Sequence, residues 1–178
     1  LNGIPETVTN FTPGILTEMF PGDYTRVEHF IQWMAPPTPG PSSNSTKNGK
    51  TQFTNAGCVY CHTTSFKTPP ASRPALGNVT INLYSDLLVH HMGPGLADGL
   101  AQGGAGPDEF RTAPLWGIGQ RLWFMHDGRT NDIVQAIEDH MSNANGQYPA
   151  SEANQAVTNF NNMSSTNQQD LVNFLRSL

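Results

Sequence analysis

Two thiols three positions apart, with a histidine directly after the second, constrain this chain more than any other feature: Cys58-Val59-Tyr60-Cys61-His62. The spacing suits two thioether bonds to the vinyl groups of one porphyrin, and it leaves His62 under the iron. A chain attached in this way must fold around the macrocycle. These are the only two cysteines, so no disulfide or second cysteine framework competes for them. The sequence therefore predicts one covalently bound haem c held by Cys58, Cys61 and His62. Other uses of paired cysteines fit less well. A redox pair normally sits at the strand-to-helix turn of a βαβ unit, which the flanking residues do not provide. A zinc site needs two further ligands, and the adjacent His90 and His91 would point to different sides of a helix.

At 178 residues the chain can bury a core around a cofactor in one domain, with an extra arm. Asp23 is placed to cap a helix through about residue 35, since Tyr24, Val27, Phe30, Ile31 and Met34 recur at helical spacing; Pro36-Pro37 ends it. Residues 38–45 have linker composition, and a helical stretch from about Lys47 leads into Cys58. This predicts an N-terminal arm and Pro/Ser-rich linker over 1–45 and a haem domain over 46–178. Residues 63–82 are rich in Pro, Thr and Ser and residues 93–106 in Gly; loops this long need a cofactor to rest on.

Further on, Asp132 with Gln135 resembles a capping box and opens a helix whose face carries Ile133, Ile137 and then His140 or Met141. Ser151 is placed to cap a helix using Ala153, Ala156, Val157 and Phe160. Thr166 with Gln169 is placed to cap a last one using Leu171, Phe174, Leu175 and Leu178. No segment sustains period-2 alternation and no repeat is present. The expected class is all-α: a cytochrome c-like domain with short helices and long loops around one haem, plus a helical arm, with room for a small hairpin in the loops.

Charge narrows the partners. The 14 acidic and 9 basic side chains form no blocks, so nothing marks a nucleic-acid surface or an anionic membrane. No apolar run approaches the roughly 20 residues of a membrane span. The start, Leu1-Asn2-Gly3-Ile4-Pro5, lacks a signal peptide's charged and apolar regions, so the chain reads as mature or trimmed. Few charges and many Asn, Gln, Ser and Thr residues suit an exported protein, and the expected location is a bacterial periplasm or the cell exterior.

Three downstream segments carry a family resemblance. They are 85–99, containing Leu88-Val89-His90-His91-Met92-Gly93-Pro94-Gly95; Phe110-Arg111-Thr112-Ala113-Pro114-Leu115-Trp116-Gly117-Ile118-Gly119; and His126-Asp127-Gly128-Arg129. In this order they resemble the C-terminal half of bacterial di-haem thiol-oxidoreductase-like proteins, relatives of the di-haem cytochrome c peroxidases, from about Phe30 to Leu178. Those proteins resemble two haem domains in tandem, whereas this chain has one Cys-x-x-Cys-His. The resemblance implies an electron-transferring haem domain whose partner is a redox protein or a second haem domain. Peroxide chemistry belongs to the other haem of the relatives and does not carry over.

The second axial ligand decides between electron transfer and small-molecule binding. Met19, Met34, Met92, Met125, Met141, Met163 and the other histidines are all available. The resemblance favours His140, at the place where the peroxidase relatives carry a methionine. Helical periodicity supports it modestly and Met141 equally; Met125 and Met92 are the other candidates. Met163 sits where it would pack the last helix. The resemblance also places His126 near the haem, and Arg111 or Arg129 could pair a propionate. Trp116 and Trp123 would pack the haem edge or the core. The expected function is one-electron transfer at a six-coordinate His62/His140 iron. The alternatives are peroxidase or other haem oxidoreductase activity at a weakly ligated iron, and a haem-based sensor or docking module.

Overall fold

Ser43 and Thr46 close a reciprocal cap: the Thr46 N–H donates to Ser43 Oγ (3.1 Å) and the Ser43 N–H to Thr46 Oγ1 (2.9 Å). Two otherwise unpaired backbone donors are satisfied at once, which starts helix α2 (Asn44–Ala56) three residues earlier than Lys47 and inside the expected linker. Gly57 ends the helix at φ 93°, a left-handed conformation that glycine adopts without steric cost. A 3-10 turn, Cys58–Tyr60, follows. The cysteine motif is thus presented by a capped helix with a sharp stop.

This computed structural model describes residues 21–71 and 73–178; Met19 and the first five residues lie outside them. The chain divides into two compact units, Leu1–Pro36 and Pro37–Leu178. In the first, α1 (Pro21–Gln32) forms where apolar periodicity predicts a helix, with Asp23 inside it rather than at its cap. Val27, Phe30, Ile31 and Met34 are exposed. No helix among the described residues is long and apolar enough to cross a membrane.

The second unit holds α2, α3 (Ile133–Glu138), α4 (Asn154–Asn161) and α5 (Ser165–Arg176). Strand β1 (Phe66–Lys67) pairs antiparallel with β2 (Thr80–Ile81), and β3 (Val89–His91) with β4 (Glu109–Arg111). The expected all-α class is therefore corrected to a mixed one: helices carry the core and two small sheets fasten the long loops. Strands of two or three residues are too short to show alternation in a sequence. His90 and His91 lie on β3, where successive side chains point to opposite faces, not on a helix.

Caps differ from expectation in detail. Asp132 caps α3, accepting from the Val134 N–H at 2.8 Å, but Gln135 reaches forward to Asp139 (2.8 Å) instead of closing a box. Ser164, not Thr166, caps α5 through the Asn167 N–H (3.3 Å). Ser151 is buried ahead of α4 and accepts from the Ala153 N–H (3.2 Å). The helix itself starts one turn later with no side-chain cap.

The core forms where α2 crosses α5. Phe53, Tyr84 and Phe174 meet edge to face, with centroids 5.5–6.2 Å apart. Leu171, Val172, Phe174 and Leu175 bury one face of α5, each side chain contributing roughly 1.5–3 kcal/mol. The crossing is close because Gly49 has no side chain: a Cβ there would collide with the Asp170 carbonyl. Polar groups surround the contact. Ser45 donates to Asp170, and Asn48 Nδ2 donates to Asp170 (2.7 Å) and Asn167 (3.0 Å). Gly49→Ala tests the crossing. Helix propensity alone would favour alanine by about 1 kcal/mol, but the collision outweighs it, so the variant should lose roughly 1–3 kcal/mol of stability, read as a lower urea midpoint.

Candidate haem site

Helices α2 to α5 and the segment from Phe110 to His126 enclose a cavity of about 430 Å³, within the range of roughly 300–1,000 Å³ usual for cofactor sites. Phe53, Leu115, Ile133, Val157, Phe160 and Leu171 form apolar walls. Cys58, Cys61, His62 and His140 line it as well. The cysteine motif and the histidine expected opposite it thus reach one chamber from positions 78 residues apart in sequence.

Both rings have the same hydrogen-bond arrangement. His62 Nδ1 lies 3.0 Å from the Tyr84 carbonyl oxygen and His140 Nδ1 2.6 Å from that of Ala136. A carbonyl only accepts, so Nδ1 carries the proton and Nε2 keeps its lone pair. Tyr84 presents its carbonyl from a left-handed conformation, φ 55°, uncommon for a residue with a side chain. Burial pushes the His62 pKa down to about 4 against the Tyr84 hydrogen bond, and the neighbouring His140 adds to the lowering. Burial lowers His140 too, against its bond to Ala136. Neutral imidazole with Nδ1–H fixed by a carbonyl is the form that binds a metal. His140 lies just past α3 rather than on it: its N–H bonds Ile137 (3.2 Å) in a tighter turn.

The thiols are free. Burial raises Cys58 to about 11, and burial followed by the charges of Asp86 and Glu152 raises Cys61. A redox-active pair works through a depressed thiol, whereas burial here pushes both thiols up. Cys61, Asp86 and His90 bring potential metal-ligand atoms within 4.8 Å of one another, a grouping invisible in the sequence. However, His90 Nε2 lies 2.9 Å from Asp86 and its Nδ1 2.7 Å from Glu152. A ring donating to two carboxylates has no lone pair to offer. Burial costs His90 something, yet its bonds to Glu152 and Asp86 outweigh this and raise its pKa. His91 faces the other way, 2.9 Å from Asp108.

The remaining expected residues separate into two groups. His126, Arg111, Met125 and Met92 line the cavity; His126 stacks on Phe110 with centroids 4.3 Å apart. Trp123 is exposed at the cavity edge. Met141 is exposed and Met163 packs against the core, neither lining the cavity, and Trp116 does not line it either. Arg129 is also absent from the lining and is committed elsewhere: its Nη2 pairs with Asp127 (2.7 Å) and its Nη1 donates to the Gly95 carbonyl (2.8 Å). Arg121, not singled out from the sequence, also lines the cavity. The donor set fits a haem: two thiols, two neutral imidazoles and two cations in an apolar chamber.

A family model described as "Di-haem oxidoreductase, putative peroxidase" matches residues 25–178. The search of curated proteins found no match. Among solved structures, Kuenenia stuttgartiensis hydrazine synthase, pressurised with 20 bar xenon, is 19% identical, covering 84% of this chain and 52% of that one, with a TM-score of 0.49. The chain therefore spans about half the length of that protein's chain.

For the chain without haem, these ionisations predict a stability maximum near pH 6.5. His62 and His140 have lowered folded pKa values, so the unfolded chain takes up protons first and stability falls as pH drops from about 6.5 towards 4. For His62 alone that amounts to roughly 3 kcal/mol. His90 and His91 have raised values, so their contribution is complete below about 6.5 and disappears as pH rises through the folded values. Urea midpoints measured from pH 4.5 to 9 should describe this dome; a midpoint still rising below pH 6 would contradict it.

Proposed function

The chain belongs to the di-haem oxidoreductase family, and on that premise we propose that it is a cytochrome c-like electron-transfer domain carrying one covalent haem c, with His62 and His140 as axial ligands. Haem binding and an oxidoreductase-like character follow from the family; the count of one rests on the single Cys-x-x-Cys-His motif. The observation that carries the ligand assignment is the pair of imidazoles in one cavity, each with Nδ1–H held by a backbone carbonyl.

When bound, the haem supplies a one-electron iron couple. Cys58 and Cys61 offer the thiols for its vinyl groups. His62 and His140 offer Nε2 lone pairs, and their carbonyl partners hold the rings still, so little reorganisation accompanies a redox change. Arg111 and Arg121 supply cations for the propionates, and His126 flanks the group from its stack on Phe110. Apolar walls would surround the group, and with His62 and His140 both bound no position would remain for an oxidant. A histidine pair also sets a lower potential than histidine with methionine. Tyr60 and Trp123, exposed at the cavity edge, would face a redox protein or a second haem domain. A bacterial periplasm or the cell exterior is the proposed location.

His140→Ala tests the assignment. The variant should lose the low-spin spectrum and bind carbon monoxide readily, while Met125→Leu, at one of the two methionines lining the cavity, should keep the wild-type spectrum and exclude the gas. If Met125→Leu opened the iron and His140→Ala did not, methionine would be the ligand and the potential would lie higher. Ready gas binding by the wild-type protein would favour an enzyme or a sensor.

A further inference from the structure

The two ligand-bearing segments also meet at a seam beside Cys61. On one side, the Asp86 N–H donates to the Cys61 carbonyl (2.8 Å), so the Asp86 loop moves with the cysteine motif. On the other, His140 leads into Ser142, whose N–H donates to Asn154 Oδ1 (2.8 Å) and whose carbonyl accepts from the Ser151 N–H (2.9 Å). Glu152 comes next and exchanges hydrogen bonds with His91: its N–H donates to the His91 carbonyl and its Oε1 accepts from the His91 N–H, both at 3.0 Å. Between these flanks stands His90, with Nε2 2.9 Å from Asp86 Oδ2 and Nδ1 2.7 Å from Glu152 Oε2. Cys61, His90 and Glu152 all line the cavity.

We propose that His90 is a positioning residue that clamps this seam and thereby keeps His140 on the iron. The proposal rests on the His62/His140 reading. Two carboxylates facing each other across one ring width need a bridge that donates in both directions, and imidazole with both nitrogens protonated does so. Its side chain is 17% exposed and that of Asp86 10%, so one of the two links is well shielded from water. Without the ring, Asp86 and Glu152 are like charges across a narrow gap. The loss is therefore two charge-assisted hydrogen bonds together with a new repulsion, and the repulsion pushes the His140 side away from the Cys61 side.

The test uses the haem-loaded chain with two readouts. In His90→Leu, carbon monoxide should bind the reduced protein about tenfold faster or more, as loss of charge-assisted hydrogen bonds allows. Hydrogen exchange at the Asp86 and Glu152 amides should quicken by a similar factor. His90→Gln, which keeps one donor, should fall between. Adding Glu152→Gln to His90→Leu removes the like-charge pair and should slow both processes again, a rescue that mere loss of packing would not show. Wild-type rates in His90→Leu on both readouts overturn the proposal, as does absence of any rescue. If His140→Ala keeps its low-spin spectrum, the ligand reading fails by itself and amide exchange alone decides the clamp: quickened exchange supports it and unchanged exchange overturns it.

Discussion

A histidine binds a metal only through a nitrogen without a proton, and here the backbone decides which nitrogen that is. The Tyr84 and Ala136 carbonyls take the Nδ1 protons of His62 and His140, leaving Nε2 for the cavity in both rings. Much of the surrounding architecture serves to hold those two carbonyls. Tyr84 stays in its left-handed conformation because its ring is packed against both Phe53 and Phe174. The buried Ser85 hydroxyl donates to Thr112 (2.7 Å) and accepts from the Leu87 N–H (2.9 Å), fixing the backbone on the other side. Strain at Tyr84, of order 1–3 kcal/mol, is offset by that packing and carries a consequence for the site.

Helix α3 does the equivalent work for His140 with far less material. Six residues are too few to form a helix unaided, so its existence depends on the Asp132 cap and on burial of Ile133 and Ala136. Ala136 is both a core residue and the acceptor for His140. Anything that loosens its packing moves the carbonyl and with it the ring. The α2–α5 crossing is therefore not merely a support at a distance: Phe53 touches both the core aromatics and His62, its centroid 6.3 Å from the imidazole.

The parts legible in the sequence are those set by short-range chemistry. The cysteine motif, the Asp132 cap and the buried faces of α4 and α5 all follow from spacings of a few residues. The reading of His140 as a ligand rests on a family resemblance joined to weak periodicity, and its place just past the helix end lies beyond what periodicity resolves. The two sheets were hidden because each strand is shorter than the pattern that would announce it. Arg121 and the Asp86–His90–Glu152 grouping were hidden for a different reason: Asp86 and His90 are close in sequence, but Glu152 joins them only through tertiary structure, and no local signal marks Arg121 as facing the cavity. Arg129, in contrast, was singled out near its motif yet pairs with its neighbour Asp127, as a short-range salt bridge would.

Burial sets the forms of the groups that the proposed cofactor would use. Two imidazoles kept neutral by desolvation, and two thiols pushed up by the same effect, are polar groups set among apolar walls; each such group costs free energy unless it gains a partner. The hydrogen bonds to Tyr84 and Ala136 hold one nitrogen of each ring, and since no buried side-chain nitrogen or oxygen among the described residues lacks a partner, the other nitrogen opens onto the cavity. A bound iron would engage that nitrogen, and thioether bonds would convert the thiols into groups that suit an apolar wall. Binding would then be linked to folding in the usual sense that whatever binds the native state stabilises it, and covalent attachment would remove the dependence on free cofactor concentration. The features that keep both rings neutral are thus the ones that would suit them to bind iron.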